Sequence, residues 1–424
     1  MALTMTQKIR LSWSRSRMIA LLVCLCTMSG VGSFSVDAKE TKGERWVGTW
    51  ATAIQLVEPH NNPPEPGLTN QTIRQIVRVS IGGKRLQMKF SNAFSTKPVT
   101  MKAVHLALSK GGSAIDLSTD QALTFNGKQE VTLEPGGEVT SDPFPFALPP
   151  LSEVAVTIAL GATSPDITGH PGSRTTSYLL PGNEVSKPDF EGAVPTDHWY
   201  LMHAIDVMVP EAFSNVVILG NSITDGRGSG TNRQNRWTDI LAHRLQANEA
   251  TRSVGVINKG LGGNCVLGSC LGPPAIDRFQ RDVLDQRGIR WVVLFIGIND
   301  IGNAVQPGVG KQLIEAFRQM TAQAHAKGIL VYGATLLPMR GHSYFSEAHE
   351  TEREIVNDWI RHSGTFDAVI DLDKAMRNPE DVRTLLPSVD GGDHLHPSEA
   401  GHRMLGEAID LNLFLPTPTN NKNK

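Results

Sequence analysis

The alternation of apolar and polar side chains changes its period near the middle of this chain. In RLQMKFSN, a period of two places Leu86, Met88 and Phe90 on one face and polar residues on the other. VAVTIAL repeats the spacing, and the spacers IGGK, FNGK and EPGGE are rich in turn residues. Many short alternating strands separated by such turns are typical of an antiparallel β-sandwich. We therefore predict a jelly-roll-like β-sandwich over residues 45–210.

The second half of the chain has short, continuous apolar runs in place of alternation. NVVILG, VGVIN, RWVVLFIG and ILVYGATLL are separated by helix-length segments such as GKQLIEAFRQMTAQAHAKG. Apolar strands between helices predict an α/β fold, with a parallel sheet covered on both faces, over residues 214–412. Ligands of such sheets bind at the carboxyl ends of the strands. The tail at 413–424, which ends in PTPTNNKNK, is predicted to be disordered.

The amino-terminal segment, residues 1–38, has the pattern of a secretory signal peptide. Basic residues precede the apolar run MIALLVCLCTMSGVGSF, and SVDA then provides a small-residue cleavage site after Ala38. The alternative is an amino-terminal membrane anchor, since the run is about the shortest that spans a bilayer. We predict cleavage and a secreted or periplasmic protein without further membrane association.

Removal of the signal peptide leaves two cysteines, Cys265 and Cys270. In an oxidising compartment this close pair predicts a disulfide, with two free thiols as the alternative. A zinc site is not expected, because no further Cys or His pair has matching spacing. The formal net charge of −2 over 424 residues gives no electrostatic case for nucleic-acid binding.

The stretch VVILGNSITDG raises the question of catalysis, because Ser222 follows directly after a predicted buried strand. A serine in this position is either a nucleophile or a residue of a turn that begins a helix. A nucleophilic serine needs a base to take its proton and donors that stabilise the oxyanion. The partners must come from later loops.

Three later loops offer those partners. NKGLGGN contains Gly263, whose backbone N–H is a candidate oxyanion donor, and FIGIND contains Asn299, whose carboxamide is another. Read alone, the first is equally a flexible turn and the second equally a helix cap. DGGDHLHP carries Asp393 and His396, a carboxylate and an imidazole three residues apart. The nearby His394 and His402 leave metal binding by this segment as an alternative.

Together, GNSITDG, NKGLGGN, GIND and DHLHP resemble the conserved blocks of the SGNH (GDSL) hydrolases, a family of serine esterases and lipases. The resemblance spans about residues 214–412 and implies a three-layer α/β/α fold that uses no cofactor. It also implies that Ser222 is the nucleophile, His396 the base and Asp393 its orienting partner. Gly263, Asn299 and the Ser222 N–H would form the oxyanion hole. The chain departs from the family at Asn221, where an aspartate is usual.

Longer stretches, including WVGTWATA and GRGSGTNRQNRWTDILAHRL, resemble exported SGNH proteins described as arylesterases or acylhydrolases that carry a β-rich domain. This resemblance implies an ester substrate, with acetylated carbohydrate as the leading candidate. Two alternatives remain: a lipase or arylesterase acting on longer or aryl esters, and a carbohydrate-binding protein with a degenerate hydrolase half.

Residues close to these blocks are further candidates for substrate binding. Asp225, Arg236 and Trp237 follow the nucleophile loop, and Arg340 and His342 follow the strand ILVYGATLL. Each is equally able to pack or pair structurally.

Overall fold

The computed structural model describes residues 43–268 and 270–415. The predicted signal peptide lies outside these residues. In the amino-terminal half the strands are β1 Glu44–Ala51, β2 Gln55–Leu56, β3 Gln71–Arg78, β4 Gly83–Ser91, β5 Val99–Gly111, β6 Ala114–Ile115, β7 Gln121–Ala122, β8 Val131–Leu133, β9 Glu138–Thr140, β10 Phe144–Leu148, β11 Glu153–Leu160, β12 Thr168–His170, β13 Ser177–Pro181, β14 Val194–Thr196, β15 Trp199–Tyr200 and β16 Met202–Pro210.

The amino-terminal half, here called the β-rich part, is built from antiparallel sheets, as predicted. One sheet has the order β1-β16-β4-β10, with β9 also paired to β4. The second has the order β14-β13-β3-β11-β5-β6, with β7 and β8 also paired to β5. One apolar core joins the two sheets: Leu86 and Met88 of β4 pack in the same cluster as Val156 and Ile158 of β11. The period-two pattern of β4 therefore identifies its inward face correctly.

Strand β11 departs from the simple alternation, because both of its faces are buried. Ala155 packs with Ile76, Ala107 and Ile115 in a second small cluster on the side away from the sandwich core. Small side chains at alternate positions therefore mark a covered outer face in this strand.

The carboxyl-terminal half, here called the α/β part, contains a five-stranded parallel sheet in the order β18-β17-β19-β20-β21. Its strands are β17 Ser214–Gly220, β18 Val254–Gly260, β19 Ile289–Phe295, β20 Leu330–Ala334 and β21 Ala368–Ile370. Its helices are α1 Ser222–Asp225, α2 Trp237–Ala247, α3 Ala275–Phe279 with a π-helical continuation at Gln280–Leu284, α4 Ile298–Gly302, α5 Val309–His325, α6 Glu347–His362, α7 Leu372–Met376 and α8 Glu399–Glu407.

Helices cover both faces of this sheet and give three layers, as predicted. Val217 and Leu219 of β17 belong to the core formed with α3, α5 and α6. Val216 and Ile218, which point the other way, belong to the core formed with α2 and α8. The continuous apolar run of β17 is explained by this two-sided burial.

The β-rich and α/β parts pack against each other within one compact unit. Hydrogen bonds join them: Gly48 N–H donates to the backbone Arg287 O (2.9 Å), and Val256 N–H donates to the side-chain Ser80 Oγ (3.0 Å). The buried ammonium of Lys259 donates to Thr52 O at 2.7 Å. The end of β18, one of the strands that carry the site, is thus tied to the β-rich part.

The ordered chain continues past the predicted start of the tail at residue 413. Leu411–Phe414 form a 3₁₀ turn, and the Phe414 side chain is fully buried. Its ring packs against those of Trp291 (5.7 Å between centroids) and Tyr332 (5.8 Å). For residues 413–415 the prediction of disorder is wrong, because the aromatic ring completes the core beside the sheet. Among the helices described, none has the length and apolar character needed to cross a bilayer.

Candidate active site

Ser222 lies at the junction between the central strand β17 and the short helix α1. The Asn221 side chain caps this helix by accepting a hydrogen bond from Ile223 N–H at 3.1 Å. An aspartate would cap the helix through the same oxygen, so Asn221 preserves this contact without adding a charge. A Cβ at position 220 would lie 2.1 Å from Thr224 Oγ1, and Gly220 therefore permits the sharp turn into α1. The half-buried Ser222 begins the helix at the carboxyl edge of the sheet.

His396 and Asp393 reach Ser222 from the loop that precedes α8. Ser222 Oγ and His396 Nε2 are 2.7 Å apart, and His396 Nδ1 and Asp393 Oδ2 are also 2.7 Å apart. The other Asp393 oxygen accepts backbone N–H groups from His396 (2.8 Å) and Leu395 (3.1 Å). With Nδ1–H donating to the carboxylate, Nε2 is left to accept the hydroxyl proton.

Local electrostatics set the protonation states of this pair. Burial raises the pKa of Asp393, but hydrogen bonds from the His396 backbone and ring outweigh it and lower that pKa to about 2. Burial lowers the pKa of His396; Asp393 opposes this effect, and the charges of Arg227 and His342 add to the lowering. At neutral pH the arrangement is an ionised carboxylate beside a neutral imidazole, which is the state that can take up a proton.

Two candidate oxyanion donors, the Asn299 side chain and the loop that contains Gly263, lie together. The buried carboxamide of Asn299, on α4 after β19, donates to Asn264 O at 2.8 Å. Asn264 directly follows Gly263, which has a φ of +65°. One Nδ2 hydrogen of Asn299 is used in this contact, so the second remains for an oxyanion. The glycine loop and the asparagine helix therefore meet at the same edge of the sheet as Ser222.

Arg278 of α3 is a supporting residue that the sequence reasoning missed. Its guanidinium is fully buried and donates to Gly220 O (3.1 Å), Lys259 O (3.0 Å) and Asn264 Oδ1 (3.1 Å). These three acceptors lie at the ends of β17 and β18 and in the glycine loop. Its partner is Asp282, at 2.9 Å. The four-residue spacing of the two charges signals a helical pair but not that the pair points inward.

The loop after Gly263 is held by a second unforeseen contact and by a disulfide. Asp300 accepts the backbone N–H groups of Val266 and Leu267, both at 2.9 Å. Cys265 and Cys270 are joined by a disulfide within the same loop. The carboxylate of GIND is thus a support for the glycine loop. In the described parts of the chain, no group of His, Cys, Asp or Glu side chains is arranged to hold a metal ion.

The candidates for substrate binding separate into two groups. Asp225, Arg236 and Trp237 are buried, with exposed fractions of 3%, 7% and 0%. Trp237 packs edge-on against Phe295 (6.1 Å between centroids) in the core, so its prediction as a pocket residue is wrong. As the first residue of α2 it faces the sheet. Asp225 and Arg236 instead line a narrow cleft between the β-rich and α/β parts, whose walls do not include Ser222 or His396.

Arg340 and His342 lie nearer the surface. Arg340 is exposed and pairs with Asp381 at 3.0 Å. This ion pair fits the structural alternative to a role in substrate binding. His342 is half-buried, its ring contacts that of Tyr344 edge-on (4.7 Å), and its charge acts on His396. Of the two, His342 has the stronger structural connection to the site.

The α/β part is similar in sequence to a known protein family. Residues 218–404 match the model of the GDSL-like Lipase/Acylhydrolase family. An acetylxylan esterase of Geobacillus stearothermophilus is 26% identical over 212 residues, covering 46% of this chain and 91% of that protein. A solved structure of an acetylxylan esterase from that organism aligns with 22% identity and a TM-score of 0.36, covering 47% of this chain and 94% of the other. A GDSL-like lipase of Bacteroides thetaiotaomicron VPI-5482 aligns with 20% identity and a TM-score of 0.35, covering 46% and 85%.

The family match covers all four sequence blocks that surround the candidate site, from the nucleophile loop to the loop with His396. The family match and the similarity to the acetylxylan esterase support an SGNH hydrolase domain in the α/β part, with carboxylic ester hydrolysis as its activity.

Proposed function

We propose that this chain is an exported serine esterase that removes short acyl groups, acetyl above all, from carbohydrate. The observation that carries the proposal is the continuous row of hydrogen bonds from Ser222 through His396 to Asp393, with 2.7 Å at each step. A hydroxyl, an imidazole and a carboxylate in this order are the groups that acyl transfer through a serine requires.

In the proposed reaction, Ser222 Oγ attacks the ester carbonyl while its proton passes to His396 Nε2. The new Oγ–C bond creates an oxyanion, which Asn299 Nδ2–H and the backbone N–H groups of Gly263 and Ser222 stabilise. His396 then gives its proton to the leaving alcohol as the C–O bond breaks. Water, deprotonated by His396, attacks the acyl-enzyme, releasing the acid and returning the proton to Ser222. Asp393 stabilises the imidazolium in both halves of the reaction.

The proposed substrate class rests on similarity and on the structure of the loops. The relative that matches over most of its own length is an acetylxylan esterase, which acts on an acetylated polysaccharide by its name. The half-buried His342 and Tyr344 contact each other through their rings, and the charge of His342 acts on His396. These two rings are suited to line a site for a sugar ring.

Export is supported by the disulfide between Cys265 and Cys270, since such bonds persist in oxidising compartments. It also rests on the signal-peptide pattern of residues 1–38. Fractionation of cells that express the full chain, with mass spectrometry of the mature amino terminus, tests this part. A mature protein that begins after Ala38 outside the cytoplasm is expected; an intact chain in the cytoplasm would refute export.

The test of the catalytic proposal compares two neighbouring histidines. His396→Asn and Ser222→Ala should abolish hydrolysis of p-nitrophenyl acetate and labelling by a fluorophosphonate probe. His394→Asn is the matched control, because His394 is exposed, pairs with Asp390 (2.6 Å) and has a φ of +60° that asparagine tolerates. Full activity in either of the first two variants would exclude the assigned roles.

A substrate panel then separates the alternatives. Acetylated xylan and p-nitrophenyl acetate are expected to be cleaved faster than butyl, octyl or longer acyl esters. A preference for long acyl chains would identify a lipase instead. Retention on polysaccharide without any ester turnover would identify a carbohydrate-binding protein whose hydrolase part is inactive.

A further inference from the structure

The β-rich part contacts the nucleophile loop through a segment at residues 170–176, HPGSRTT. His170 Nε2 lies 2.7 Å from Asp225 Oδ1, and Arg174 Nη2 lies 3.5 Å from Asp225 Oδ2. Asp225 is the last residue of α1, three residues after Ser222. We propose that His170 and Asp225 are positioning residues for Ser222, so that the β-rich part maintains the geometry of the nucleophile. This proposal rests on the proposed serine-esterase function.

The His170 ring is fixed from three sides. Its Nδ1 lies 2.7 Å from Ala53 O, and the ring stacks on Trp199 with 5.7 Å between centroids. A carbonyl oxygen accepts but does not donate, so Nδ1 carries a hydrogen. The other ring nitrogen, Nε2, is hydrogen-bonded to Asp225 Oδ1, and the second carboxylate oxygen faces the Arg174 guanidinium. The hydrogen bond between His170 and Asp225 is buried, with both residues 3% exposed.

Asp225 transmits this restraint to the nucleophile helix. Its backbone N–H donates to Asn221 O at 2.8 Å, which closes the turn that contains Ser222. The carboxylate lies directly against the backbone of Gly172, because a Cβ at that position would be 1.8 Å from Asp225 Oδ2. On the opposite side, a Cβ at Gly260 would lie 2.2 Å from Asp225 N. Asp225 is thus held between the β-rich segment and the start of the glycine loop that leads to the oxyanion donors.

The chain that follows α1 is attached to the same segment. Asn232 N–H donates to Arg174 O at 2.9 Å, and Asn232 Oδ1 accepts Thr176 N–H at 2.8 Å. The buried Arg236 guanidinium donates to Ser173 O. The return from Ser222 to α2 is therefore attached to residues 170–176 at Asp225, Asn232 and Arg236, so the His170–Asp225 pair is part of a larger contact.

The effect of losing the pair should appear in the chemical step. Small displacements of a nucleophile from its reactive position cost up to about 100-fold in rate without loss of substrate binding. We expect His170→Gln and Asp225→Asn, each in the full-length chain, to lower kcat for p-nitrophenyl acetate about 10- to 100-fold, with KM changed less than about twofold. The pre-steady-state rate of p-nitrophenol release should fall in parallel, and the double variant should be no slower than the slower single variant.

His105→Gln provides the matched control. His105 also pairs with an aspartate, Asp120, at 2.9 Å, and is mostly buried, but it lies within the β-rich part on β5. Its kcat should stay within about twofold of the wild type. Equal loss of kcat in His170→Gln and His105→Gln, or a lower melting temperature with unchanged kcat in His170→Gln, would overturn the proposal.

A milder variant covers the case in which His170→Gln does not fold. Arg174 has a side chain 26% exposed, so Arg174→Gln should fold and lower kcat by a smaller factor with KM retained. Unchanged kcat in Arg174→Gln, together with unfolded His170→Gln and Asp225→Asn, would show that the contact serves folding alone and would also overturn the proposal. Failure of the proposed function is distinct, since the wild type itself would then neither hydrolyse esters nor react with a fluorophosphonate.

Discussion

His396 and Asp393 contact each other twice within a four-residue loop, once through the ring and once through the backbone. Ring Nδ1 meets Asp393 Oδ2 at 2.7 Å, and the His396 N–H donates to Oδ1 at 2.8 Å. Because the carboxylate is oriented by its own loop, its two oxygens have different and fixed partners. His396 and Asp393 are therefore oriented by their own loop, and the fold places this loop beside Ser222.

This geometry predicts the outcome of Asp393→Asn. The carboxamide oxygen should take the place of Oδ1, which accepts two backbone N–H groups, so that the NH₂ group faces His396 Nδ1. Nδ1 would then become the acceptor and Nε2 would carry the proton, which leaves no base for Ser222. We expect kcat for p-nitrophenyl acetate to fall about 10⁴-fold with little change in melting temperature. Asp390→Asn, on the neighbouring exposed His394, is the control; comparable activity in the two variants would contradict this role of Asp393.

The pH dependence of ester hydrolysis should follow His396. Burial lowers its pKa, Asp393 opposes the lowering, and Arg227 and His342 strengthen it. In the proposed mechanism the neutral imidazole is the base, so kcat/KM should rise with pH through a pKa below the ordinary 6.5. Arg227→Gln removes a positive charge that disfavours the imidazolium, so the pKa should rise and the acidic limb should move to higher pH.

A pH–rate profile of wild type and Arg227→Gln tests this shift. Arg233→Gln removes the same charge from the same loop, but Arg233 pairs with Glu399, and its profile should match that of the wild type. A profile for Arg227→Gln that moves to lower pH, or does not move, would show that Arg227 does not act on the catalytic base.

Asn299 is predicted to contribute to the rate and little to the fold. Its carboxamide is buried and oriented by Asn264 O, with one amide hydrogen left for the oxyanion. Asn299→Ala should lower kcat about 100- to 1,000-fold, the usual loss for one oxyanion donor. Asn303→Ala, which removes a neighbouring carboxamide that donates to Asn299 O, is the control and should retain kcat within about tenfold. Equal losses in the two variants would mean that only the shape of α4 matters.

The sequence predicted the two-part architecture because its periodicity is strong. Strand β4 alternates and β17 is continuously apolar, and burial on one or two faces explains each pattern. Ser222 and Asn299 follow strands β17 and β19, at the strand ends where the sequence predicted the site, and His396 contacts Ser222 from a later loop. Trp237 was wrongly placed near the substrate, since proximity in sequence to Ser222 does not determine which way the first residue of a helix faces.

Contacts between charged residues that are far apart in the chain could not be predicted from the sequence. His170 and Asp225 are separated by 55 residues and belong to different parts of the fold. An aspartate is ordinarily exposed, and neither the residues around His170 nor those around Asp225 indicate a buried pair. Arg278 was missed for the same reason: its three carbonyl and amide acceptors are brought together only by the packing of α3 under the sheet.

The buried charge cluster behind the glycine loop provides a final prediction, on stability. Burial alone would raise the pKa of Asp282, but the cations of Arg281, Lys259 and Arg278 hold that pKa well below its ordinary value. Asp282→Asn would leave Lys259 and Arg278, both fully buried, without a counter-charge, and should cost about 3–5 kcal/mol of unfolding free energy. Lys259→Met keeps the Arg278–Asp282 pair at 2.9 Å and loses the hydrogen bond to Thr52 O and the 3.8 Å ion pair with Asp282, so about 1–3 kcal/mol is expected. Urea denaturation of the two variants measures both values. Asp282 also orients Arg278 against the carbonyl of Gly220, so Asp282→Asn should lose esterase activity even at urea concentrations where it remains folded. A larger loss of unfolding free energy in Lys259→Met than in Asp282→Asn would contradict the prediction.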